Sequence, residues 1–442
     1  MKKNLLMQID QAIERSMEDL KRDLVKLIAI KSVKGPAFPG APFGPGPRAV
    51  LDVVLEMGKQ QGFYPVEHTD GVISLSLKKG PPDLGIWLHG DVVPEGTGWD
   101  YDPYQATEYK GCIIGRGATD NKGQLCAIFH LLKIIKELGV ELNYNPALYV
   151  GSNEETGMKD IPPFLEKCTP PRLSLVPDSG FPVGYGGRGG MSLTFRSKRP
   201  LRGIQLIAGQ DEDPGKAVAK VYGKSIITHS PPRHSANPDS NGNMITRLME
   251  RLLEENLADA EDRPVLEFFK MVSLDTQGEH LGINVQTEEM RPLTVFAQRI
   301  DDMDGCAALT VNIRYPVGIT YEEIVERAGT IAQKYGLIIS DAESRTKPYL
   351  LDKTWPVITR LAEIANEVTG EQKKLYTLGG GTYAHKLPNA LVFGMDGNKT
   401  PDNFPAGHGG AHGVDELVSL DRLQRGMRIY ARALLELNDM DW

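Results

Sequence analysis

The sequence is poor in cysteine, in tryptophan and in long apolar runs. Only 4 cysteines stand among its 442 residues. They lie at positions 112, 126, 168 and 306, and no two have the C-x-x-C spacing of a redox couple or a structural metal site. A disulfide-built scaffold is thereby excluded, and reduced thiols in a cytoplasmic chain are the simplest reading. No stretch approaches the roughly 20 apolar residues of a membrane span. The opening MKKNLLMQIDQAIERSMEDL begins with positive charge, as a secretory leader does. Asp10, Glu14, Glu18 and Asp19 interrupt it, however, and its apolar positions follow a helical period. Basic charge is not in excess either: 50 Lys and Arg stand against 58 Asp and Glu, a formal net charge of -8. Nucleic-acid binding asks for basic patches, and those present, such as Lys78 and Lys79, are short. Neither nucleic acid nor a membrane is an expected partner.

What is present is ordinary for a globular chain, 40% hydrophobic and 24% charged. The length exceeds what one hydrophobic core serves, so two domains are expected. Leu5, Ile9, Ile13, Leu20, Leu24 and Leu27 recur at helical spacing and predict one long helix ending near Ala29. Residues 35–47, dense in Gly and Pro, predict a loop, and residues 49–61 return to helix. Residues 71–77 and 84–88 read as strands, the second nearly all apolar, as in a strand covered on both faces. A helix at 127–138 and strands at 147–150 and 173–176 follow. The alternation predicts an α/β fold with a mostly parallel sheet.

From about residue 183 to 347 the pattern shifts to short alternating strands, such as 190–196 and 309–315, with helices at 245–256 and 321–335. Helices at 355–369 and 417–437 close the chain. The expected organisation is a discontinuous catalytic domain, residues 1–185 and 350–442, carrying an inserted α+β domain, residues 186–349.

Parallel α/β sheets place ligands beyond the carboxyl ends of their strands, and that is where the chemistry-bearing residues fall. His89-Gly90-Asp91 follows one predicted strand, and residues i and i+2 at a strand end share a side. An imidazole there can face a metal while the carboxylate supports its far nitrogen. Residues 115–123, GRGATDNKG, enter a helix, and a buried Asp120 there has two oxygens with which to bridge two cations. Helix capping is the competing reading of that stretch. Residues 152–157, SNEETG, offer paired carboxylates whose roles can divide, Glu155 to a metal and Glu154 to proton transfer from water; an exposed acidic turn is the alternative. Asp178 follows a further apolar strand and equally suits a turn cap, and His412 lies in a glycine-rich stretch. Together the set holds two histidines and three carboxylates, donors that suit Zn²⁺, Mn²⁺ or Co²⁺, with no thiolate of a soft-metal site.

The strings HGDVVPEGTGW (89–99), GRGATDNKG (115–123), SNEETG (152–157), PDSGFP (177–182), NIRYP (312–316) and GGGTYA (379–384) occur in one order along essentially the whole chain. In that order they resemble the M20 metallopeptidase family, and within it the dipeptidase V and Sapep-like Xaa-His dipeptidase branch. The resemblance implies a zinc-peptidase-like catalytic domain with an inserted lid for substrate closure. It implies that His89, Asp120 and Asp178 hold one divalent ion, and that Asp120, Glu155 and His412 hold a second. Asp91 would orient His89, Glu154 would be the general base, and the Asp120–Asn121 peptide would be cis. His234, with Asn243 beyond it, matches a family stretch whose histidine stabilises the oxyanion; the match is imperfect, and His229 is the runner-up. Arg314 would clamp the substrate's terminal carboxylate, helped by Gly380, Gly381 and Thr382. His385 stands where the family usually carries Arg.

The activity so implied is hydrolysis of the amide bond of dipeptides by a water activated between two metal ions, Zn²⁺ or Mn²⁺. Its rivals are deacylation of an N-acyl amino acid, as by an acetylornithine deacetylase or a succinyl-diaminopimelate desuccinylase, and a non-catalytic metal-stabilised binding protein. The size of the inserted domain favours a monomer over a homodimer, since in the resembled branch an enlarged lid supplies what a partner would contribute.

Overall fold

The computed structural model describes residues 2–210, 213–230, 243–396 and 400–442. The chain divides into two compact units. One comprises Met1–Tyr185, Leu351–Tyr376 and Thr382–Trp442, and the other Gly186–Leu350 with Thr377–Gly381. No helix among the described residues is long and apolar enough to cross a membrane, and the four cysteines are free thiols.

The first unit is a mixed α/β layer structure. Its centre is parallel: Leu84–His89 lies between Pro146–Gly151 and Leu173–Val176, and Ala390–Val392 continues the parallel run. Antiparallel strands Val72–Ser76 and Tyr64–Thr69 extend one side. Every residue of Leu84–His89 and Pro146–Gly151 is buried, which explains the nearly all-apolar run at 84–88. The Gly123–Glu137 helix is buried nearly all round and sits inside the unit.

Two local expectations shift. The second helix begins at Pro45, inside the predicted loop; proline lacks the amide hydrogen that a first-turn residue leaves unbonded, and its φ suits that turn. At the other end, the helix expected from 417 starts at Leu420, because Leu417–Ser419 pairs as a strand with Cys112–Ile114. Its apolar residues fit either state, and the available partner decides.

The second unit carries a seven-stranded antiparallel sheet in the order Lys224–His229, Asp213–Val221, Ile204–Gln210, Thr294–Met303, Cys306–Tyr315, Gly189–Ser197, Leu337–Thr346. Ile204, Leu206 and Ala208 point inward and alternate with the exposed Gln205 and Ile207, the period of a sheet covered on one face. That face packs against helices Met244–Glu254, Arg263–Leu274 and Tyr321–Lys334 through Leu248, Leu252, Phe268, Phe269, Ile324 and Ala328. This is an α+β unit.

Candidate metal centre

All five residues expected to bind metal, and the expected base, lie in the first unit. The parallel register brings them together. His89 ends its strand opposite Gly151, the last residue of the neighbouring strand. The loops that leave these strand ends, and the end of Leu173–Val176, therefore open on the same edge. Asp91 ties two of the loops: its carboxylate accepts the backbone N–H groups of Glu154 (3.0 Å) and Glu155 (3.1 Å). The Nδ1 of His89 bonds to the carbonyl oxygen of Asp91 at 2.9 Å, while the carboxylate stands 3.6 Å away, too far for a hydrogen bond. Asp91 thus fixes the imidazole through its backbone and the acidic loop through its side chain.

Asp120 lies between the two histidines. Its Oδ1 is 3.0 Å from Nε2 of His89, and its Oδ2 is 3.0 Å from Nε2 of His412. The same nitrogen of His412 is 3.0 Å from Oε2 of Glu155, and Nε2 of His89 is 3.9 Å from Oδ1 of Asp178. Two groupings of donor atoms, each mutually within 4.8 Å, are His89 with Glu154 and Asp178, and His89 with Asp120 and Glu155. The Asp120–Asn121 peptide is cis, and the buried Asn121 donates to Asp178 Oδ1 at 2.9 Å.

The electrostatics of this cluster call for positive charge. Burial, followed by the charge of Asp178, pushes the Glu154 carboxyl well above its usual range. Burial and Asp120 raise Glu155 as well, against the hydrogen bond from His412. Hydrogen bonds to Asp120 and Glu155 push His412 up to about 11. Burial works against the charged form of Asp120, yet its hydrogen bonds from His412 and His89 outweigh it and hold the carboxyl low. Four carboxylates crowded at one edge repel unless cations lie among them. Oε1 of Glu155 is buried and has no hydrogen-bond partner, a costly arrangement for a carboxylate oxygen that a cation would relieve. Imidazole and carboxylate donors, an oxygen without a partner and a surplus of negative charge together fit divalent metal ions.

The profile of peptidase family M20/M25/M40 matches residues 86–436. The chain belongs to that family. Among its relatives is a Bacillus subtilis (strain 168) protein named "Putative dipeptidase YtjP", 28% identical, the match spanning 96% of this chain and 98% of the relative. The fold is similar to that of human carnosine dipeptidase 1, with a TM-score of 0.64 at 18% identity over 99% of both chains. It is equally similar to an M20 family metallo-carboxypeptidase of Sulfolobus solfataricus, TM-score 0.64 at 17% identity, covering 95% of this chain and 99% of that one.

Around the metal centre the peptidase carries supports that were not singled out as site residues from the sequence. Asp160 is buried, and its Oδ2 accepts the N–H groups of Ser152 (2.8 Å) and Asn153 (3.1 Å) and the hydroxyl of Tyr383 (2.6 Å). Burial pushes its carboxyl up to about 6, against the Tyr383 bond. A Cβ on Gly151 would overlap that hydroxyl, so the position requires glycine. Glu416 and Arg116 form a second support. Tyr383 lies inside the GGGTYA string and Glu416 close after His412, so each stood beside a recognised residue without a signal of its own.

The expected substrate residues fall mainly in the second unit. Arg314 lies on Cys306–Tyr315 opposite Gly190, whose missing side chain leaves room for the guanidinium. The region is positive: burial, then Arg291 and Arg314, push the guanidinium of Arg188 down to about 10. Asn243 caps Met244–Glu254, its side chain accepting from Ile245 N–H at 2.8 Å and donating to the Ala297 carbonyl at 2.8 Å. Its amide is thus engaged at both ends inside its own unit. Gly380 and Gly381 also belong to this unit, and Thr382 opens the return to the first. There the Thr382 N–H donates to Nδ1 of His385 at 3.2 Å, so His385 shapes the turn that follows the glycines. His234 lies outside the described residues.

Proposed function

We propose that the peptidase is a two-metal dipeptidase of the cytoplasm. The observation that carries the reading is Asp120, whose two carboxylate oxygens each meet a different histidine at 3.0 Å. One ion would be held by His89, Asp120 and Asp178, the other by Asp120, Glu155 and His412; when bound, Zn²⁺ or Mn²⁺ supplies Lewis acidity to the amide carbonyl and acidifies a water. Glu154, held through its backbone by Asp91, would take a proton from the attacking water as the water oxygen bonds to the amide carbon, and would give it to the amine nitrogen as the C–N bond breaks. Asp91 keeps this base and His89 in a fixed relation. The Gly186–Leu350 unit acts as the lid and supplies Arg314, whose planar fork of donors suits a terminal carboxylate. His234 is assigned the oxyanion. A dipeptide is preferred over an acyl amino acid because the full-length relative above is named for dipeptides. Free thiols throughout fit a reducing compartment.

The test is a hydrolysis panel of dipeptides, N-acetyl and N-succinyl amino acids, with Mn²⁺ and Zn²⁺ supplied separately. Turnover of dipeptides is expected. Rapid deacylation without dipeptide cleavage would replace the reading with a deacylase, and metal uptake without any turnover would replace it with a binding protein.

A further inference from the structure

The loop that carries Asp120 and the loop that carries His412 are joined by one buried ion pair. Glu416 is fully buried and Arg116 nearly so. Oε1 of Glu416 accepts the N–H groups of Thr119 (2.9 Å) and Asp120 (3.0 Å). Oε2 accepts the N–H of Gly117 (3.1 Å) and Nη1 of Arg116 (2.6 Å). The Glu416 carbonyl accepts from Gly115 N–H at 2.8 Å. Arg116 turns its other arm to the carbonyls of Pro94 and Glu95, each at 3.3 Å, and to that of His412 at 3.4 Å. Its guanidinium lies 5.1 Å from the centre of the Trp99 ring.

The need for such a clasp is visible at His412. Its side chain is 53% exposed, against 1% for His89, and its φ is +62°. Packing alone does not hold it. Yet its Nε2 must meet Asp120 and Glu155 at once, and a shift of an ångström at either loop would part them.

We infer that Glu416, paired with Arg116, is the positioning residue that registers Asp120 against His412 and so sets the affinity of the ion site these two share with Glu155. The inference rests on the two-ion reading above. Glu416 touches neither that site's donor atoms nor the reacting bond. It acts on the backbone of one ligand, while Arg116 holds the carbonyl of the other. Replacing Glu416 by Gln removes the charge and one acceptor oxygen, and leaves the ligands themselves intact.

The experiment uses the full chain, stripped of metal and titrated with Mn²⁺ by calorimetry and with Co²⁺ by its visible absorption. Wild type takes up two ions. In E416Q one of the two binds about 10- to 100-fold more weakly, the usual cost of losing a group that orients a ligand. The Co²⁺ spectrum of that step changes, the other step, which shares Asp120 but not His412, weakens less, and excess Mn²⁺ restores turnover. The double variant R116M/E416Q removes both buried charges, so its folding does not depend on an uncompensated ion; it shows the same selective loss. Unchanged affinities for both ions in both variants would overturn the inference. So would a failure of both variants to fold, which would make the pair structural. Uptake of fewer than two ions by wild type would instead sink the two-ion reading itself, whatever the variants do.

Discussion

The hydroxyl of Tyr383 donates to Oδ2 of Asp160 at 2.6 Å, and the same oxygen receives the backbone of Ser152 and Asn153, the residues that lead into Glu154. A residue just beyond the glycine loop thus supports the strand end from which the expected base projects. Tyr383→Phe keeps the ring and removes the donor. A short hydrogen bond to a buried carboxylate contributes about 1.5–3 kcal/mol, so the variant should lose about that much unfolding free energy in urea. Its kcat should fall with metal content unchanged. An unaltered urea midpoint and kcat together would show that the bond supports nothing.

Glu154→Gln preserves shape and removes the base. The backbone N–H of residue 154 still reaches Asp91, so the loop should hold its place. Turnover is expected to drop by about 10²–10⁴, with the ion stoichiometry, measured by elemental analysis of the purified protein, unchanged. Activity near wild type would strip Glu154 of its role.

Gly190 makes the room that Arg314 occupies, since a Cβ there would overlap Nη1 of the guanidinium. Gly190→Ala should therefore displace the proposed clamp without touching the metal donors. KM for a dipeptide should rise about 10-fold, equivalent to ~1.4 kcal/mol of binding, while kcat changes little. Arg314→Lys, which loses the forked geometry, should move the same parameter. A fall in kcat at constant KM in both would point away from carboxylate binding.

His68 gives the fold a pH dependence of its own. It stacks on Tyr149 at 5.4 Å, meets Phe164 edge-on at 5.2 Å, and bonds Ser74 Oγ through Nε2 at 2.8 Å. Burial pushes its imidazole below the ordinary histidine value. The folded state therefore prefers the neutral ring, and the unfolded chain binds more protons as pH falls below about 6.5. Stability is present above that value and is lost as pH drops towards and through the folded pKa. His68→Gln should flatten the slope of unfolding free energy between pH 7 and 5, by at most about 1.4 kcal/mol per pH unit. An identical slope in both proteins would remove His68 from the account.

Much of this protein was legible along the chain. The runs at Leu84–His89, Pro146–Gly151 and Leu173–Val176 are buried without interruption and mostly apolar, and the polar residues at their ends mark one end of the sheet. A parallel strand covered on both faces admits no alternation, so the sequence announces both the strand and its boundary. The candidate ligands follow from that boundary and from donor chemistry. The helix start at Pro45 was less legible because proline suits a loop and a first helical turn alike, and the strand at Leu417–Ser419 because a distant partner strand selects it.

What the tertiary structure alone decided is which oxygen serves which neighbour. Asp120 meets His412 from a distant part of the sequence, Glu416 accepts the Asp120 N–H from 296 residues away, and Tyr383 reaches Asp160 over 223. The carboxylate of Asp91, expected to face His89, stands 3.6 Å from its Nδ1 and is also bonded to the backbone of the acidic loop. Periodicity reports which face of an element is buried. The pairing of a buried donor with its acceptor depends on how separate elements meet, and the penalty for an unpaired polar group enforces it only once they have met.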